Sequence, residues 1–251
     1  MLRLSRTGIA MLAAAVLLSA CSGANEAQDS SEGSDEATEE VRYIQPGAPG
    51  EPSRVLTAEE VAELDLSPPE HTPADVEFMQ MMMIHHEQAI ELVELIEGRT
   101  EREDLPLFAE RIDISQVDEI DMMKRWLEAR DEVIPEGPED LQSLHEGHDL
   151  AVDDPDTAPM PGMLSENEMQ AIRDASGVEF DRLWLEGMRK HHTGAIEMVD
   201  DLFAAEGGQE PEIFQFASHV RSDQNIEISR INLMLADIDA GGDGKLPEDD
   251  G

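Results

Sequence analysis

The feature that most constrains this chain is a block that it writes twice. Asp75-x-x-Phe78-x-x-x-Met82-x-x-His85-His86-x-x-Ala89-Ile90-Glu91 recurs without a gap as Asp181-x-x-Trp184-x-x-x-Met188-x-x-His191-His192-x-x-Ala195-Ile196-Glu197, at a constant offset of 106. A second block follows each copy. Ala109-x-x-Ile112-x-x-x-Gln116-x-x-Glu119-Ile120 returns at offset 108 as Ala217-x-x-Val220-x-x-x-Gln224-x-x-Glu227-Ile228. A third precedes each: Leu56 to Glu60 and Leu164 to Glu168 both read as capping boxes, with Thr57/Glu60 and Ser165/Glu168 in the two reciprocal roles. Duplication of this kind means that one supersecondary unit is used twice and that the copies bury each other's apolar faces.

The spacing predicts helices. Apolar residues return every three or four positions, no segment sustains period-2 alternation, and aromatics are sparse. Each unit reads as one short and two long helices, the long ones at roughly 74–98, 104–130, 178–206 and 210–238. Gly98, Gly207 and Gly208 stand where C-caps belong, and Pro106 and Pro211 near first turns. The expected fold is all-α, two tandem helical hairpins packed as a four-helix bundle. Repeat one spans 56–130, repeat two 164–238, and a Pro- and Asp-rich connecting loop lies between them at 131–163.

The ends carry a different message. Residues 1–20 have the basic start (Arg3, Arg6), short apolar run and small residues of an export signal, too short to span a membrane. Leu18-Ser19-Ala20-Cys21 resembles a lipobox, so Cys21 is expected to be lipidated and to become the mature N-terminus. It is the only cysteine, so no disulfide is available and packing alone must hold the domain. Residues 21–55 are rich in Ser, Gly, Glu, Asp and Pro and read as an acidic tether; 239–251 read as a disordered tail. The expected location is extracytoplasmic, with the membrane engaged only through the lipid anchor. The net charge of −41 leaves no basic footprint for nucleic acid.

On a helical projection Phe78, Met82, Ala89, Val93 and Ile96 form one apolar stripe. His85 and His86 border it on either side, Asp75 lies inside it, and Glu91 faces solvent. The second copy places Asp181, Met188, His191 and His192 likewise. Gln116 and Gln224 fall at the centres of the partner stripes, with Glu119 and Glu227 at their edges. So many polar groups in one interior must bond to each other, to water or to a metal. The bland reading is a His/Gln/Asp network that fixes helix register. The sharper one is a pair of metal sites, with Met82, His85 and His86 as ligands in the first and Met188, His191 and His192 in the second, and with Asp75, Gln116, Glu119, Asp181, Gln224 and Glu227 orienting the rings or standing as alternative ligands. Thioethers select soft metals, Cu(I) above all; imidazole also serves Cu(II) and Zn(II). Met79 and Met81 to Met83 crowd the first pair; core filling is their ordinary use. Met81 and Met83 fall off the stripe. His145-x-x-His148 in the connecting loop is a weaker ligand signal, and His71 and His219 look incidental.

Chemistry of other classes finds no purchase. A ferritin-like di-iron oxidase needs Glu-x-x-His, and none of the eight histidines has Glu three residues before it. No nucleophile–base pair or phosphate loop stands out, so the chain does not read as an enzyme.

These same blocks, with "MPGMLSENEM" ahead of the second, resemble the bacterial domain of unknown function 305 across residues 56 to 238. The resemblance implies a ferritin-like helical bundle, exported or lipid-anchored in many members. In some members it also implies copper binding and metal tolerance. The expectation is then a copper-binding lipoprotein for sequestration, transfer or tolerance at the cell envelope. The alternative is a metal-free interaction or stress-response bundle. Two departures separate the copies: Glu87-Gln88 stands where the second copy has Thr193-Gly194, and Met81 where it has Gly187.

Overall fold

A computed structural model describes residues 42–46, 50–65, 67–144, 156, 158 and 160–245. The expected signal, Cys21 and the His145/His148 pair lie outside the described residues. The protein is mostly helical: seven helices and two short strands are described. Among the described residues no helix is long and apolar enough to cross a membrane.

The chain divides after Asp65 into two compact units. The first carries β1 (Ile44–Gln45) and β2 (Arg54–Val55), paired antiparallel with Ile44 opposite Val55, and α1 (Ala58–Ala62). The capping box forms as the sequence predicts: Thr57 accepts from Glu60 N–H and the Glu60 carboxylate accepts from Thr57 N–H. That backbone bond and the Arg54 guanidinium pull the Glu60 carboxyl down to about 2. The strand pair lies inside the stretch read as a tether, which is corrected here. Arg54 bridges Gln45 and Glu60, so polar side chains set the pairing where no apolar alternation exists.

The second unit contains α2 (Pro73–Glu94), α3 (Asp104–Glu128), α4 (Pro138–Leu144), α5 (Glu166–Asp174), α6 (Gly177–Ala204) and α7 (Pro211–Asp239). α2 packs along α3, α6 along α7, and α2 against α6. α5 sits on α6 and α4 on α2. The long helices fall within a few residues of the expected ranges. α6 stops two residues early, at Ala204, and the first left-handed residue after it is Glu206, not Gly207. The Ser165/Glu168 box opens α5 as read, and Thr72/Asp75 forms a third box, unread in the sequence, that opens α2.

Burial explains why α2 is richer in methionine than one stripe requires. With α3, α6 and α4 around it, α2 buries Met79, Met82, Met83 and Ile84 as well as Phe78. Met83, expected off the stripe, has 0% exposure. Leu141 of α4, within the connecting loop, is fully buried in the same core cluster. The core has two clusters, one rich in methionine around Met79, Met82, Met83 and Met198, the other around Trp184, Phe180 and Leu92. Trp184 is fully buried and donates its indole N–H to the Leu92 carbonyl at 2.7 Å. Each such side chain contributes roughly 1.5–3 kcal/mol by leaving water.

The tail also differs from expectation. α7 runs to Asp239, and the segment after it folds back on the α3 entry. Asp104 N–H donates to the Gly244 carbonyl, and Arg102 links Asp104 to Asp237.

Candidate metal centre

The two histidine pairs, 106 residues apart in sequence, meet in one place. All four rings have 0% exposure. The His85 and His191 ring centroids are 3.8 Å apart, and His86 and His192 flank them at 6.4 and 6.1 Å from their sequence neighbours. The packing of α2 on α6 therefore merges what the sequence suggests as two sites into one cluster.

Hydrogen bonding fixes how the rings are turned. His85 Nε2 donates to the Pro161 carbonyl at 3.0 Å. His191 Nε2 donates to the His85 carbonyl at 2.8 Å. His86 Nε2 reaches Glu119 Oε2 at 2.7 Å. These partners accept and do not donate, so in each neutral ring the proton sits on Nε2 and Nδ1 keeps a bare lone pair. The Nδ1 atoms of all four histidines are buried without a hydrogen-bond partner. His192 Nε2 lies 2.6 Å from Glu227 Oε2 without a hydrogen bond between them.

Burial sets the charge state. Desolvation, helped by the neighbouring His86, pushes the His85 imidazolium down to about 3. Desolvation, then the charge of His85, holds His191 well below the ordinary range. Both rings are neutral at pH 7 and offer lone pairs with nothing to take them.

The other predicted residues divide by height along the helices. Met82 and Met188, both at 0% exposure, stand three and four residues before the histidine pairs, within one turn of them. Gln116 and Gln224 are buried, each with an unpartnered Oε1, and Glu119 and Glu227 touch His86 and His192. Asp75 is buried far from the rings. Its carboxylate accepts from Thr72 N–H and Oγ–H and from Gly208 N–H at 2.6 Å, tying α2 to the α6–α7 turn. Asp181 mirrors it, bonded by Thr100 of the α2–α3 turn; desolvation raises its carboxyl. Glu91 is exposed and pairs with Arg173, and His219 is exposed. Among the described residues no three His, Cys, Asp or Glu side chains are gathered as a ready cage for a metal.

The segment from Met160 to Leu164 crosses both central helices at the level of the rings. Pro161 holds His85. Gln88 clasps Leu164, accepting from its N–H at 2.7 Å and donating to its carbonyl at 2.9 Å. On the other side Gly162 lies on Gly194, where a Cβ would stand 2.1 Å from the Pro161 oxygen. This explains the departure between the copies. One position must grip the crossing segment and its counterpart must vanish beneath it. The signal was present in "MPGM" and in the Gln88/Gly194 mismatch, but only the crossing gives them meaning.

Residues 75–235 match the family described as "Domain of unknown function (DUF305)". Among solved structures, a DUF305 fragment from Deinococcus radiodurans is 25% identical, with a TM-score of 0.54, covering 67% of this chain and 99% of that one. A DUF305 protein from Streptomyces coelicolor is 24% identical, with a TM-score of 0.55, covering 69% and 98%. CopM in its Cu(II)-bound form is 25% identical over 64% of this chain and 94% of that one. Its TM-score of 0.48 is too low to assign this chain a ligand. No curated protein matches the chain.

Proposed function

The chain belongs to the DUF305 family, and from that premise we propose that it is an exported, lipid-anchored copper-binding protein that sequesters or hands over the metal at the cell envelope. We read its fold as a ferritin-like four-helix bundle of two tandem hairpins, α2–α3 and α6–α7, and the chain as a binder rather than an enzyme.

The observation that carries the copper reading is the set of buried Nδ1 lone pairs. A metal-ligating histidine typically donates its other ring N–H to a carbonyl or carboxylate, which fixes the tautomer. His85, His191 and His86 have that arrangement, with the opposite nitrogen left bare. A bare acceptor in a dry interior costs roughly 1–3 kcal/mol unless something meets it. His85, His86, His191 and His192 would hold the ion, with Met82 and Met188 as thioether donors. That set is neutral and soft, which favours Cu(I) over harder divalent ions. The family resemblance of the sequence points the same way. Glu119 and Glu227 orient His86 and His192, and Cys21 is the lipid attachment point.

A metal-free bundle is the second reading, favoured by the ring bonds to Pro161, Glu119 and the His85 carbonyl, which alone would fix helix register. Competition of the protein with a Cu(I) chelator separates the two. The copper reading expects affinity tighter than micromolar, lost on His85/His86/His191/His192→Ala. Absent or unchanged binding leaves the metal-free reading standing.

A further inference from the structure

We propose that the pocket lined by Met81 and Met198 is a docking site for Cu(I) on its way to His85, a proposal that rests on the copper reading of the buried histidines. The pocket encloses about 240 Å³ between the start of α2 and the end of α6. Phe78, Met198 and Leu202 form its buried floor, Met81 is half-buried, and Glu77 and Asp201 bring two carboxylates to it. Pro161 also lines it. The carbonyl of that residue is the group that His85 Nε2 binds at 3.0 Å. One residue of the crossing segment therefore touches both the pocket and the rings.

The duplication supplies the argument that these methionines are more than filler. At offset 106 the positions of Met81, Met198, Glu77 and Asp201 are occupied by Gly187, Leu92, Leu183 and Leu95. There the space is closed. A Cβ at Gly187 would lie 2.9 Å from Leu164 and 3.2 Å from Ile172, and Leu92, Leu95 and Leu183 pack into the second core cluster. The two copies diverge at this end by exchanging a closed apolar contact for a cavity with two thioethers and two carboxylates. Methionine that fills a core leaves no cavity beside it. The carboxylates raise the local concentration of a cation, and neutral thioethers select a soft one while holding it weakly enough to release.

The test uses the full chain under argon, with Cu(I) presented as its bicinchoninate complex and transfer followed by stopped-flow absorbance. Met81→Leu/Met198→Leu, a nearly volume-conserving change, should slow transfer at least tenfold and leave the final affinity within twofold. His85→Ala/His191→Ala should instead keep the fast phase and lose tight binding. In unmodified protein labelled at the methionine methyl carbons, the Met81 and Met198 signals should shift first at substoichiometric Cu(I). Unmodified protein that takes no Cu(I) overturns the copper reading, and this proposal with it. Unmodified protein that takes Cu(I) with these methyl signals still, or a double variant that loads at the same rate, overturns the docking site alone.

Discussion

His191 lies against His85 with ring centroids 3.8 Å apart, and its Nε2 donates to the His85 backbone carbonyl at 2.8 Å. Residues occupying the same position in two copies of one unit thus touch each other at the centre of the molecule. Neither ring can be changed without disturbing the other, and each leaves its Nδ1 bare.

The neutrality of these rings gives stability a pH dependence in the metal-free protein. Both have folded-state values depressed below the ordinary 6.5, to about 3 for His85 and well below 6.5 for His191. Below pH 6.5 the unfolded chain binds these protons and the folded one does not. Their contribution is therefore complete above pH 6.5 and is lost as pH falls below it, for His85 down to about 3. His85 alone should cost about 1.4 kcal/mol per pH unit in that window, and His191 adds to the decline. Urea unfolding at pH 7, 6 and 5 should show this decline, reduced in His191→Phe; equal stability at all three contradicts it.

Gly194→Ala should destabilise more than Gly187→Ala. The first Cβ would meet backbone at 2.1 Å, which cannot move without lifting the crossing segment; the second meets the end of the Leu164 side chain. Overpacking typically costs 1–3 kcal/mol, so Gly194→Ala should sit at about 3 kcal/mol and Gly187→Ala near 1. Thermal unfolding of the two variants, ranked in the reverse order, contradicts the crossing.

Gln88→Ala removes both bonds to Leu164. The loss should be about 1–3 kcal/mol. Amide exchange should quicken in residues 160–164 and stay unchanged in α3. Uniform exchange across the protein is the contrary result.

Asp75→Ala strips Thr72 and Gly208 of their acceptor and should cost about 2–4 kcal/mol. Because Asp75 lies far from the rings, Cu(I) affinity should stay within threefold of the unmodified protein. A tenfold loss of affinity in a folded variant places Asp75 in the metal's surroundings after all.

Much of this architecture was legible in the sequence because duplication repeats its own signal. The long helices, two capping boxes and the burial of His85, His86, His191 and His192 follow from spacing and helical geometry. What escaped depends on which elements come together. Met83 is buried because α4 and α6 surround α2, which no single-helix projection contains. Asp75 shares a stripe with the histidines but stands ten residues, about 15 Å, from His85 at helical rise. The meeting of His85 with His191 is a property of how the copies pack. Pro161 joined the site through its backbone carbonyl, a group every residue carries and no motif marks.

Whether the bare Nδ1 atoms hold a soft metal is read directly from imidazole nitrogen resonances. In ¹⁵N-histidine-labelled protein titrated with Cu(I) under argon, Nδ1 of His85 and His191 should shift strongly and saturate at a fixed stoichiometry. Their Nε2 signals should keep their proton and their place. Nδ1 signals that stay put while copper is added, or metal that displaces the Nε2 proton instead, would contradict binding at Nδ1.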